Sequence, residues 1–193
     1  MFRLLLAAWM LLAPAVFAQS LTATGLDGQP IQSLAPSGTR VVVLVFVASD
    51  CPISNRYLPE LAQLAAQHET KGVRLWLVYP NPGDTAGVVR RQQAQFDVHL
   101  PTALDAAQTL VKLAHIHVTP EAAVFRPNGS GLRELWHGRI DDRYLSFGHE
   151  RPQAFHHDLE DAIRALLEGR QPQPAGGPAI GCTIIPAQGL SPR

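Results

Sequence analysis

The chain has 193 residues with 16 basic and 16 acidic side chains, 46% hydrophobic residues and two cysteines. That length fills one good core and is marginal for two, so one domain is expected. The balanced charge gives no reason to expect nucleic acid as a partner.

Residues 1–18, MFRLLLAAWMLLAPAVFA, join a single positive charge at Arg3 to an apolar run, a breaker at Pro14 and small or apolar residues at Val16 and Ala18. This pattern predicts a secretory signal peptide cleaved after Ala18. A membrane anchor would need roughly 20 apolar residues, and this run is shorter and interrupted by proline. The expected mature protein is secreted or periplasmic, with no stable membrane insertion. Both Cys51 and Cys182 lie in the exported part, where disulfides form and persist, and two cysteines allow either a closed pair or two free thiols.

Residues 21–40 mix Gly, Pro and Ser with short apolar pieces and read as a small hairpin or a meandering lead-in. VVVLVFVA at 41–48 is apolar at every position, the signature of a strand covered on both faces. Residues 55–67 follow at helical spacing, with Pro59 expected to kink the helix and Gly72 to mark a stop. VRLWLVYP at 73–80 is a second buried strand, 85–96 an exposed helix, and 102–116 a strand end plus a short helix. Residues 119–127 and 132–140 predict an antiparallel hairpin about the NGSG turn. The last helix is expected over 153–169, with Phe155, Leu159, Ile163, Leu166 and Leu167 on one face. From Arg170 the chain turns to Pro, Gly and Gln and reads as an irregular tail. Parallel strands joined by helices, then a hairpin and a terminal helix, predict an α/β sandwich on a mixed sheet.

Cys51 directly follows the carboxyl end of the predicted central strand and precedes a helix, the edge at which sites collect in open α/β sheets. Unpaired N–H groups and the positive end of the helix dipole favour thiolate there. Arg56 would add to this effect and Asp50 oppose it. Free cysteines are often inert and buried, but Ser49, Asp50, Ser54 and Asn55 are costly companions to bury, so a reactive, solvent-open sulfur is expected.

VVVLVFVASDCPISNRYLPELAQL resembles the active-site strand, turn and helix of thioredoxin-like proteins. HVTPEAAVFRPNG looks like their second landmark, a Thr-Pro peptide, normally cis, ahead of an apolar strand. LPTALDAAQTLVKLAHIHVTP is similar to the segment leading into that proline in exported redoxins of the alkyl hydroperoxide reductase and thiol-specific antioxidant family. The resemblance spans about residues 38–140 and implies a thioredoxin-like three-layer sandwich with a central mixed sheet. It makes Cys51 the attacking cysteine, Ser54 the occupant of the second cysteine's place, Pro59 the kink and Pro120 the cis-proline. It also implies that the Thr119 backbone pairs with a bound substrate strand.

Two departures matter. Ser54 cannot resolve a mixed disulfide, and Leu44 and Ala48 stand where peroxiredoxins carry Pro and Thr, with Ser49 a partial substitute. Cys182, in AIGCTII, is the candidate partner, either as a resolving thiol in a reversible disulfide with Cys51 or as half of a static one. A static link closing about 130 residues would stabilise the fold by roughly 4 to 5 kcal/mol on chain-entropy grounds.

His115 with His117, and His156 with His157, could supply metal ligands, and Cys51 with His117 is the pair to test, but no metal site or other cofactor is expected. GRIDDRY at 138–144 reads as a solvated turn with surface ion pairs, the alternative being that Arg139 or Arg143 reaches the thiolate edge. The expected organisation is a signal peptide at 1–18, a thioredoxin-like domain at 19–169 and a tail at 170–193 carrying Cys182. The expected function is thiol-disulfide exchange with protein or small-molecule thiols and disulfides, with Cys51 and Cys182 catalytic and Ser54, Thr119 and Pro120 contacting substrate. Peroxide reduction is one alternative, and a non-catalytic binding module, with or without metal, is another.

Overall fold

A computed structural model describes residues 22–129 and 131–187; the expected signal peptide lies outside them. The centre is strand β1 (Val41–Phe46), buried at all six positions. Val41, Val43 and Val45 enter one apolar cluster, while Val42, Leu44 and Phe46 enter the other. This is why the run is apolar throughout: alternate side chains serve two different cores.

Around it stand β2 (Val73–Tyr79), β3 (Thr102–Leu104), β5 (Glu121–Asn128) and β6 (Gly131–Gly138), in the order β3-β2-β1-β5-β6. The first three are mutually parallel, β5 runs antiparallel to β1, and β6 runs antiparallel to β5. The sheet is therefore mixed, as expected. Helices α1 (Pro52–Glu69), α2 (Ala86–Gln95) and α4 (Asp158–Leu167) place Leu58 and Leu61, Val89, and Leu159 and Ile163 in the first core. Helix α3 (Thr109–Leu113) and the lead-in residues Ala23 and Leu34 serve the second. The lead-in bridges Thr24 to both Pro30 and Leu104.

Four expectations need correction. Helix α1 starts at Pro52, not Asn55, because proline lacks an N–H and suits a first turn where donors are unpaired anyway; the helix then runs without interruption across Pro59. Helix α4 starts at Asp158, so Phe155 lies outside it and is 69% exposed. Asp142 holds the preceding loop instead, accepting from the backbone N–H groups of Phe155 (2.7 Å) and His156 (3.0 Å). The 138–144 segment is no solvated turn, since Asp141 and Asp142 are buried. Burial opposes charge on Asp142, but N–H donation from His156 and Phe155 and the Arg151 guanidinium hold its carboxyl below the ordinary range. A hairpin of β7 (Tyr144–Ser146) and β8 (His149–Glu150) follows. Last, the tail is not wholly irregular: β9 (Cys182–Thr183) pairs antiparallel with β4 (Val118–Thr119).

Asp105, fully buried, supports the turn into α3. It accepts from the N–H groups of Thr109 (2.9 Å), Leu110 (2.9 Å) and Val111 (3.1 Å), the unpaired donors of that helix start. Replacing it by Ala strands three donors, so Asp105→Ala is expected to cost about 3 kcal/mol in denaturant unfolding. Asp105→Asn, which keeps one acceptor, is expected to cost less.

Candidate active site

Cys51 is the N-cap of α1 (φ −87°, ψ 114°), with no side chain capping the helix. Its carbonyl accepts from the Asn55 N–H at 3.0 Å, so the first turn forms directly on it. Thus the sulfur sits at the end of β1 and at the positive end of an 18-residue helix. A thiolate formed here gains from both the free N–H groups and the dipole.

Cys51 is joined to Cys182 in a disulfide across 131 residues, with the Cα atoms 6.1 Å apart. The Cys51 sulfur lies 3.3 Å from the Thr119 carbonyl oxygen, and the Thr119–Pro120 peptide is cis. Cys182 stands directly opposite Thr119 in the β4–β9 pair. The structure therefore brings Cys51, Cys182, Thr119 and Pro120 together. The expectation of a solvent-open sulfur is corrected: Cys51 has no exposed surface in this oxidised state, and Cys182 remains partly exposed. The tail strand is the cover.

Ser54 is fully buried at the third position of α1 and accepts from the Ala48 N–H at 3.3 Å. Arg56 pairs with Glu150 at 3.3 Å, so its charge is directed at the β7–β8 hairpin. Arg143 binds Glu60 at 2.7 Å, and Arg139 binds Asp158 at 2.9 Å. His115 and His137 both contact Glu134, and His117 is exposed. Among the described residues, no group of three or more His, Cys, Asp or Glu side chains is arranged to hold a metal ion.

Sequence reasoning missed the polar support behind the loop. Asp84, buried in the segment after β2, accepts from the Ser49 N–H at 3.0 Å and from the Ser49 hydroxyl. From there Asn55 donates to the Ser49 carbonyl (3.4 Å), Gln92 donates to Asn55, and Tyr79 donates to Gln92 (2.7 Å). Glu121, next to Pro120, accepts from the His117 N–H at 3.0 Å and fixes the approach to the bend. The tail is tethered as well: the Gly176 N–H donates to Asp158 at 2.7 Å. No sequence pattern marks these pairs, which link positions up to 37 residues apart within the loop support.

The AhpC/TSA family profile matches residues 14–133, well over half of the chain. The chain belongs to the AhpC/TSA family. Solved structures similar to this AhpC/TSA protein confirm a thioredoxin-like α/β fold. They include an uncharacterised conserved protein from Geobacillus kaustophilus, at 23% identity, 88% coverage of this chain and 90% of that one, and a TM-score of 0.73. A hypothetical protein from Sinorhizobium meliloti 1021 shares 23% identity over 76% of this chain and 80% of its own, with a TM-score of 0.64. A secreted disulfide oxidoreductase from Mycobacterium tuberculosis shares 19% over 78% and 96%, with a TM-score of 0.52. No curated protein matches the chain.

Burial raises the Asp84 carboxyl above the ordinary range, although both Ser49 bonds pull the other way. One of its oxygens, Oδ2, is buried without a partner. A carboxyl raised on folding contributes stability that is complete below its unfolded pKa of about 4 and is lost as pH rises through the folded value. Asp84→Asn keeps an acceptor for Ser49 and removes the buried charge. The variant is expected to unfold at higher denaturant than the parent at pH 7, with the gap closing towards about pH 4.

Proposed function

We propose that this protein is an exported thiol-disulfide oxidoreductase whose working couple is Cys51 and Cys182. The observation that carries the reading is the disulfide itself, formed at a helix N-terminus against the Thr119–Pro120 bend. It is supported by the AhpC/TSA membership and by a fold neighbour described as a secreted disulfide oxidoreductase. Export is inferred from the sequence of residues 1–18. No helix among the described residues is long and apolar enough to cross a membrane. The thioredoxin-like domain is assigned to 19–169 and the tail to 170–193.

In the reduced protein the Cys51 thiolate attacks one sulfur of a substrate disulfide. A Cys51–substrate bond forms, and the other substrate sulfur leaves as a thiolate that takes up a proton. Cys182, taking the role that Ser54 cannot fill, then attacks the Cys51 sulfur. The Cys51–Cys182 bond closes and the second substrate thiol is released, so two electrons pass from protein to substrate. In the oxidised protein Cys182 is the less buried residue of the pair, so an incoming thiolate attacks its sulfur and expels Cys51 as the stabilised thiolate. A second thiol from the same donor frees Cys182. Run backwards, the same steps oxidise a substrate dithiol.

Thiol-disulfide exchange is preferred to peroxide reduction because Leu44 is buried in the second core, Ala48 has no hydroxyl, and the Ser49 hydroxyl is engaged by Asp84. The test is to trap the intermediate. With a small aromatic disulfide, reduced Cys182→Ser is expected to keep a stable Cys51 adduct by intact mass, wild type to pass to the internal disulfide, and Cys51→Ser to form no adduct at position 51. The wild-type link is expected to equilibrate with a thiol buffer above about −300 mV. A link that stays closed throughout that range would be a static brace, and the reading would fail.

A further inference from the structure

The tail sits on the domain as a captured peptide. Backbone pairing of Cys182 and Thr183 with Thr119 and Val118 is only part of the grip. The Thr119 hydroxyl donates to the Cys182 carbonyl at 3.4 Å. Three residues further on, the Ile185 N–H donates to Asn81 Oδ1 at 2.9 Å and the Ile185 carbonyl accepts from Gln108 Nε2 at 2.6 Å. Asn81 and Gln108 are both buried, and neither belongs to the tail. The domain holds them in place: the Gln108 N–H donates to the Asp105 carbonyl at 2.7 Å and its side chain to Pro80 O at 3.3 Å, while the Asn81 carbonyl accepts from Asp84. With the tail lifted, Asn81 Oδ1 and Gln108 Nε2 are an acceptor and a donor already placed for a peptide backbone, so the vacated groove favours another extended backbone in the same place.

The side chains of the tail give the groove a preference. At Gly181 an added Cβ would fall 2.6 Å from the Thr119 carbonyl carbon and 3.0 Å from the Pro120 nitrogen. Both are backbone atoms that cannot swing aside, so glycine serves here for space. Ile184 is buried in the apolar cluster that contains Leu110, Ala114 and Ile116. Thr183 and Ile185 are exposed and impose nothing.

We infer that the groove lined by Thr119, Asn81 and Gln108 is a selective site for an extended cysteine peptide of a protein substrate, with glycine just before the cysteine and a branched aliphatic residue two positions after it. The tail fills this site in cis and is displaced by a substrate that matches it. This rests on the oxidoreductase reading and adds a substrate class to it.

The test uses full-length Cys182→Ser, reduced, with peptides whose cysteine carries 5-thio-2-nitrobenzoate. The Cys51 thiolate attacks the peptide sulfur, a Cys51–peptide disulfide forms, and thionitrobenzoate leaves and is read by absorbance. The retained tail slows all peptides alike, so their ratios report the groove. The peptide AIGCTII is expected to react at least about 10-fold faster than the same peptide with Gly→Val before the cysteine or Ile→Ser two positions after it. Gln108→Ala is expected to slow the matched peptide about 5-fold. Equal rates for the three peptides, with a small aromatic disulfide reacting normally, would overturn the peptide preference alone. A Cys51 inert even to the small disulfide would overturn the oxidoreductase reading on which it rests.

Discussion

Burial of β1 on both faces is the constraint from which the site follows. A strand that feeds two cores cannot shift its register without turning every side chain into the wrong one, so its end point is fixed. Phe46 closes the strand, and five residues later Cys51 opens the helix. The parallel partner β2 and the antiparallel partner β5 then set what lies beside that edge. The first delivers the loop carrying Asn81 and Asp84; the second begins one residue after Pro120. Sulfur, bend and polar support all hang from the same three strands.

What gathers there is two sets of groups with different tasks. Asp84, Asn55, Gln92 and Tyr79 hold the Ser49 peptide from behind, so the backbone approaching Cys51 is braced by side chains of three other elements. Glu121 braces the opposite wall through the N–H of His117. Such fully connected polar groups are rigid because releasing one leaves a buried neighbour unpaired. The exception is Asp84, whose second oxygen has no donor and whose charge is accordingly disfavoured.

The sequence carried the local parts of this design and missed the distant ones. The β1 run, the strand-cysteine-helix order and the Thr-Pro bend could be read directly, since each is a contiguous pattern with its own physical cause. Cys182 could be singled out as a partner because Ser54 left a role empty. Its mode of arrival could not. A two-residue strand within a Pro/Gly-rich tail has no alternation to detect, and its mate lies 63 residues away. The same holds for Asp84 with Ser49 and for Asp142 with Phe155, where one carboxylate serves backbone donors from another segment. Helix α4 was overextended because Phe155 fits the apolar spacing; the bonds to Asp142 decided otherwise. Cys51 was expected to be open because its neighbours are polar, and no local pattern announces a lid that comes from the other end of the chain.

In the proposed exchange that lid is also a tether, and its anchoring sets how the couple would work. The Gly176 N–H is bound to Asp158, which is itself paired with Arg139 at 2.9 Å, while an added Cβ on Gly138 would collide with Ala175. Only the segment from Gly177 onward needs to lift for Cys182 to leave Cys51. A free stretch that short keeps the thiol within about 20 Å of its anchor at Gly176 at full extension. Its effective concentration at Cys51 is then of millimolar order, well above what a dilute external thiol offers. A cysteine remote in sequence can thus compete for a mixed disulfide on terms close to those of a neighbour on the same helix. Its return, unlike a neighbour's, would require the substrate peptide to lift out of the groove while still joined to Cys51, which ties resolution of the mixed disulfide to the peptide leaving the groove.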